Sequence, residues 1–302
     1  MIEHFFVEPG SQRRFGQKAP GGSPVSNMGA DSPPPAAETG ALIRCAGLRK
    51  RHVQGGWLSR NRRQVEALRG VDLTIRAGST LALIGPSGSG KSTLARCLAC
   101  LERPDSGEIW FAEHNLTALS ERKLIPFRRQ IQLIFQDPGA SLNPRFTAEE
   151  VVSEPLVVSN RGTKKQRRER VLELIELVGL AGNSVDRLSS EFSGGQRRRL
   201  AIARALALDP KIIILDEALA GLDLSIQAQI SNLLLTLQEA RSLTYLCISH
   251  DLDWVAQLTD DVAVLHAGEI VESGTSGVLG NPQSSQTREL LDAALELSNF
   301  PR

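Results

Sequence analysis

The sequence has only four cysteines, almost no net charge and no apolar run of membrane length, and each shortage narrows what the chain can do. Cys45, Cys97, Cys100 and Cys247 are too few and too scattered for a disulfide framework. Cys97 and Cys100 form a C-x-x-C, a redox or metal spacing. They lie, however, in KSTLARCLACLE, an amphipathic helical pattern that puts both on one face, so buried thiols are expected. With 35 Lys and Arg against 34 Asp and Glu, the formal charge is +1, which argues against a nucleic-acid coat or a membrane-surface protein held by bulk electrostatics. No stretch approaches the roughly 18 apolar residues of a membrane helix. The start, MIEHFFVEPG, lacks the basic-then-apolar order of a secretory signal. A soluble cytoplasmic protein is expected.

What is present suits one large domain or two small ones: 302 residues, 41% of them hydrophobic. Residues 1–40, with PGGSP and SPPPAA, show no hydrophobic period and read as a disordered tail. ALIRCAGL, VDLTI, TLALIG, EIWFA and QIQLIFQ read as strands. A helical stretch follows, from TAEEVVSEPL through QRRERVLELIELVGL. GGQRRRLAIARALAL reads as a helix, KIIILDE as a strand and SIQAQISNLLLTLQEA as a helix, with LTYLCIS, DVAVLH and EIVESG as closing strands. Strands alternating with helices imply an α/β protein built on parallel strands. No internal repeat is present, so the chain holds one copy of its module.

Residues 85–92, GPSGSGKS, fit G-x-x-x-x-G-K-S/T at every specified position, between a strand-like and a helix-like segment. Gly85, Gly88 and Gly90 let backbone N–H groups turn inward around a phosphate chain, together with Pro86, Ser87 and Ser89. Lys91 can neutralise the outer phosphates, Ser92 offers a hydroxyl to Mg²⁺, and Thr93 continues into the helix, whose N-terminus favours the same anion. A glycine turn with an incidental lysine is the plain reading, and the strand–helix context weighs against it. KIIILDE supplies a second group at the end of a buried-strand pattern. Asp216 would hold the metal through water, and Glu217 would orient or deprotonate the attacking water. Alone, such a pair is commonly a helix cap. His250 closes LTYLCIS, and the carboxyl ends of parallel strands face the ligand crevice, which puts it near the phosphates.

EFSGGQRRRLAIARAL resembles the signature of ABC transporter ATPases, here Phe192, Ser193, Gly194, Gly195 and Gln196. With GPSGSGKS before it, IIILDE after it and CISHD beyond, the order is similar to that family over nearly all of 41–275. The resemblance implies a phosphate-loop fold with a mixed core sheet, an antiparallel β subdomain, a helical subdomain at about 137–205 and a C-terminal segment at 276–302. It implies hydrolysis of ATP with Mg²⁺ by two ATPase subunits, identical or different, closed head-to-tail. In that arrangement the signature of one meets the ATP on the phosphate loop of the other. Gln136 in LIFQDP matches the loop that senses the γ-phosphate and Mg²⁺, and Asp223 matches the dimer-facing loop. FQDPGASLNPRFTAEEVVSEPL, FSGGQ and NPQSSQTRELLDAA resemble the dipeptide, oligopeptide and nickel importer branch. The branch implies permease subunits, a separate substrate-binding protein and a peripheral place on the cytoplasmic face of the inner membrane.

Three features depart from the family's pattern. His52 stands where an aromatic stacks on adenine, with Trp57 nearby but out of register; Ala220 replaces a serine of the dimer loop; and SSQT replaces HPYT near the C-terminus, where weaker order is expected. The cysteine cluster of some relatives is missing, so no iron–sulfur centre is implied. GTKKQRRER, RNRR and QRRRL raise the alternative of an ABC ATPase working on DNA or ribosomes. The missing aromatic interleaving and the balancing acids favour solvated basic faces and no nucleic-acid partner. Such ATPases also carry two modules or long inserted coils, and this chain has neither. A non-enzymatic role is weaker still, because Lys91, Glu217 and His250 are all present.

Overall fold

The computed structural model describes residues 40–54, 63–137 and 141–298. The tail expected over 1–40 lies outside them except for Gly40, as do Trp57, most of RNRR and the PGA of FQDPGASLNPR. Within the described residues the strands expected from the sequence all form, in two sheets. β1 (Ala41–Gln54), β2 (Arg63–Arg76), β4 (Ser106–Phe111) and β5 (His114–Asn115) make an antiparallel sheet in the order β2-β1-β4-β5. β3 (Thr80–Ile84), β6 (Ile131–Ile134), β7 (Ile212–Asp216), β8 (Thr244–Ile248), β9 (Asp261–His266) and β10 (Glu269–Thr275) make a six-stranded sheet in the order β10-β9-β3-β8-β7-β6. Its pairs are parallel except β10 with β9, so the core sheet is mixed.

β3, β7 and β8 are buried at every residue, as their unbroken apolar runs require of strands covered on both faces. Successive side chains still divide between the faces. Ile213, Leu215, Tyr245 and Cys247 join one core, while Ile212, Ile214, Leu246 and Ile248 join the other. The second core also takes Leu94, Ala95, Cys97 and Leu98 of helix α1 (Lys91–Leu98) and the inner residues of the antiparallel sheet. The helix after the phosphate loop is thus clamped between two sheets.

On the first face, α3 (Ala148–Val158), α4 (Lys164–Leu177) and α5 (Gly194–Leu206) are inserted between β6 and β7 and share one core through Val152, Leu174 and Leu200. The sequence reads the first two as one helical stretch; the structure divides them. Asn160 and Gly162 take positive φ (51° and 67°), ending α3. Thr147 with Glu150 and Thr163 with Gln166 then form reciprocal caps that start each helix. α2 (Glu121–Gln130) is a helix the sequence pattern missed, because ERKLIPFRRQ carries Pro126 in its interior and buries only Leu124. α6 (Leu224–Arg241) and α7 (Leu252–Leu258) follow β7 and β8.

All four thiols are buried, and burial pushes Cys97 up to about 12 and Cys100 to about 11. Cys100 lies past the end of α1 at φ 57°, so the helix is shorter than the KSTLARCLACLE pattern suggests. The C-terminal SSQT stretch also differs from expectation, because it opens α8 (Ser285–Ser298). The Glu272 carboxylate accepts the Gln283 and Ser284 N–H groups at 2.8 and 3.1 Å just before that helix, and Thr287 is fully buried. Leu174→Ala, at a site with no exposure, should cost about 2–5 kcal/mol of stability, read as a lower denaturation midpoint.

Candidate nucleotide site

Residues 85–90 leave β3 and enter α1 through a gap that only glycine can pass. A Cβ on Gly85 (φ 150°) would stand 2.0 Å from the Leu265 carbonyl oxygen of β9, and one on Gly90 (φ 110°) 2.3 Å from that of Ala67 in β2. The loop is tied at both sides: Gly268 N donates to Ser89 O at 2.9 Å, and Arg69 N donates to Gly268 O at 2.8 Å. The buried Ser89 hydroxyl has no partner among the described residues. Pro86, Ser87 and Gly88 are exposed at the tip. The loop therefore offers a cradle of N–H groups at a helix N-terminus, which suits an anion.

Lys91 is buried, and its Nζ folds back to donate to Gly85 O and Pro86 O at 2.8 and 2.9 Å. Burial lowers its pKa below the ordinary value, opposed by the Glu217 and Asp216 carboxylates. Ser92 Oγ donates to Asp216 Oδ1 at 3.1 Å, joining the loop to the carboxyl edge of β7. Burial raises the pKa of Asp216; the Ser92 bond lowers it, and the neighbouring Glu217 raises it further. No group of three or more His, Cys, Asp or Glu among the described residues could hold a metal by itself. A hydroxyl beside a carboxylate nevertheless fits a hard cation that completes its shell with phosphate oxygens and water.

Glu217 follows in the left-handed region at φ 49°, unusual for a residue with a side chain, with its N–H donated to Ile248 O of β8 at 3.0 Å. Gln136, just beyond β6, donates from Nε2 to Glu217 Oε2 at 2.7 Å, and His250 Nδ1 lies 3.8 Å from the same oxygen. The carboxyl ends of β3, β6, β7 and β8 thus bring Lys91, Ser92, Gln136, Asp216, Glu217 and His250 to one edge. A cavity of about 260 Å³ opens beside Glu217, lined by the loop to Leu224 and by His250 and Trp254. His52 on β1 reaches the first turn of α1, with Nε2 3.3 Å from Thr93 Oγ1 and Nδ1 3.5 Å from Glu102 Oε1. Glu102, also paired with Arg96 and Lys50, is a neighbour of this position that no sequence pattern marked.

The signature residues stand apart from this cluster. Ser193 caps α5: its Oγ accepts the Gln196 N–H at 3.3 Å, while Gln196 Oε1 accepts the Ser193 N–H at 3.0 Å. Gly194 has open space around it, and a Cβ on Gly195 would meet the Ile226 side chain of α6 at 2.7 Å. No hydrogen bond joins 193–196 to 85–93 among the described residues. Asp223 caps α6, accepting the Ile226 N–H at 2.9 Å.

QRRRL is not the solvated face that the charge run suggested, since all three arginines are half-buried. Arg197 donates to Phe192 O, Arg199 to Val178 O, and Arg198 to the carbonyls of Ala218 and Ala220. Three consecutive arginines carry no helical period, so nothing in the pattern singled out Arg198.

The description of ABC transporters matches residues 68–220, which contain the loop, Gln136, the signature, Asp216 and Glu217. The dipeptide transport ATP-binding protein DppF of Haemophilus influenzae is 43% identical over 263 residues, 86% of this chain and 80% of that protein. The oligopeptide transport ATP-binding protein AppF of Bacillus subtilis is 44% identical over 80% of this chain and 74% of its own length. Among solved structures, a dimeric ATP-binding cassette in a post-hydrolysis state with ADP and Pi superposes with a TM-score of 0.69 at 31% identity, over 78% of this chain and 99% of that one. With the motif order, the two-sheet fold and these likenesses in agreement, the chain belongs to the ABC transporter family as one of its ATP-binding proteins.

Proposed function

We propose that this chain is the ATP-hydrolysing subunit that energises a peptide importer. The observation that carries the reading is the Glu217 carboxylate, held by Gln136 and flanked by His250 beside the Lys91 and Ser92 loop. A phosphate chain entering the cradle would take over the Lys91 donors that now cap Gly85 and Pro86. Ser92 and Asp216, with Gln136 from the facing side, would hold Mg²⁺, which supplies neutralisation of the phosphoryl oxygens. Glu217 then accepts a proton from the attacking water, and His250 stands beside that carboxylate. His52, packed on Thr93, would lie against the base.

The second anion turn supports a paired arrangement. Ser193 and Gly194, with open space at the glycine and no hydrogen bond to 85–93 among the described residues, suit the nucleotide of a second ATPase subunit, identical or different. No helix among the described residues is long and apolar enough to cross a membrane, which agrees with a peripheral subunit that relies on permease partners and a separate substrate-binding protein at the cytoplasmic face of the inner membrane. The names of the relatives support peptides; nickel, the other cargo implied by the sequence, has no such support among them. Work on nucleic acid is disfavoured because Arg168 pairs with Glu149 and Asp186, and Arg170 with Glu173 and Asp209.

Glu217→Gln should keep ATP binding and lose about 10²–10⁴ in turnover, and wild-type turnover would refute the assigned base. Lys91→Ala should weaken nucleotide binding roughly 10- to 100-fold in a fluorescence titration. Tagged chain recovered from native membranes should bring two multispanning proteins; recovery with nucleic acid or ribosomes would favour the other reading.

Asp216→Asn should trade activity for stability. Because burial raises the native pKa above the ordinary 3.8, the native state holds this proton more tightly than the unfolded chain does. Wild-type stability therefore falls as pH climbs from the ordinary value through the raised one, and the penalty is complete above the raised value. The variant should melt higher than wild type at neutral pH, with the difference shrinking on acidification towards 3.8. A pH-independent difference in melting temperature would contradict this.

A further inference from the structure

Arg198 connects two segments that the motifs name separately. It lies on the second turn of α5, whose cap is Ser193. Its Nε donates to Ala218 O, and its Nη2 donates to Ala220 O at 2.5 Å, so one planar guanidinium spans the turn directly after Glu217. Burial lowers its pKa, and the charge that opposes this comes from Asp137, the neighbour of Gln136. The helix of the signature and the loop after the acidic pair meet at this group, under the charge of Asp137.

The turn needs an external hold. Glu217 carries a side chain at φ 49°, a conformation that persists only where its surroundings enforce it. Its backbone N–H bonds to Ile248 O and its carbonyl accepts the Ala220 N–H at 3.0 Å, while its carboxylate accepts Gln136 Nε2. The carbonyls of Ala218 and Ala220 are the next fixed points, and Arg198 fixes both. We propose that Arg198 is a positioning residue that holds the 217–220 turn, and with it the Glu217 carboxylate, against the signature helix. This rests on the reading of Glu217 as the base. It adds that the water-activating group of this chain is braced by the same helix that presents Ser193 outward.

The test compares Arg198→Gln, Arg198→Lys and Glu217→Gln in the full-length chain, measuring kcat for ATP and affinity for a fluorescent ATP analogue. Arg198→Gln, which cannot span both carbonyls, should lower kcat roughly 10- to 100-fold, the scale of a small misplacement of a reacting group. Nucleotide affinity should stay within about twofold, because the Lys91 loop is untouched. Arg198→Lys keeps the charge and one contact and should recover part of the rate. Wild-type kcat in Arg198→Gln, or a parallel loss of rate and nucleotide affinity, would overturn the proposal. Should Arg198→Gln fail to fold, the lysine variant decides: reduced kcat at unchanged affinity supports the brace, and wild-type kcat refutes it. Glu217→Gln separates the two failures. If it retains turnover, the reading of the site fails; if it loses turnover while Arg198→Gln does not, only the brace is wrong.

Discussion

The phosphate loop passes within van der Waals reach of two other backbones, and the architecture of the site rests on that passage. Gly85 lies against the end of β9 and Gly90 against β2, so the loop is wedged where the two sheets meet. The Gly268 bridge, bonded to Ser89 on one side and Arg69 on the other, locks this junction. The antiparallel sheet is therefore more than an appendage. It sets the height at which α1 starts, and it carries His52 to Thr93 on the same first turn. A loop held from both sides can keep its backbone path without a ligand to organise it, which favours preorganised binding of an anion.

Charge is concentrated where the sheet stops excluding water. Lys91 and Asp216 are both buried, and each is shifted towards its neutral form by that burial. Their mutual attraction and the Ser92 hydrogen bond offset part of the penalty. Glu217 adds a strained backbone to the same edge. These local costs sit directly on the most completely buried strands of the fold, and the apolar cores on the two faces supply the stability that tolerates them.

Ser193 and Gln196 show how one set of atoms can serve two purposes. Within the chain they close a helix cap, a sufficient structural reason for S-G-G-Q. The same cap leaves a helix N-terminus with open space at Gly194, while Gly195 packs against Ile226, and that supports the paired arrangement proposed above. The arginines that follow turn inward to carbonyls, so the basic character of the segment is spent on holding loops.

Much of this was written in the order of residues. Unbroken apolar runs such as IIILD and TYLCI specify doubly covered strands, glycine and lysine spacing specifies an anion turn, and acids or histidine closing such strands must fall at one edge because parallel strands share their direction. Other features had no local signal. Pro126 masked α2, and Gly162 with two threonine caps divided what looked like one helical stretch. Three adjacent arginines gave no hint that Arg198 alone would reach the Glu217 turn. Sequence by itself determined the strands, the loop and the chemical groups, because those follow from periodicity and conformational freedom. Only the tertiary structure decided that Gln136 and His250 meet at Glu217 and that Arg198 reaches the turn after it, because contacts between residues tens of positions apart depend on how the sheet and the inserted helices pack.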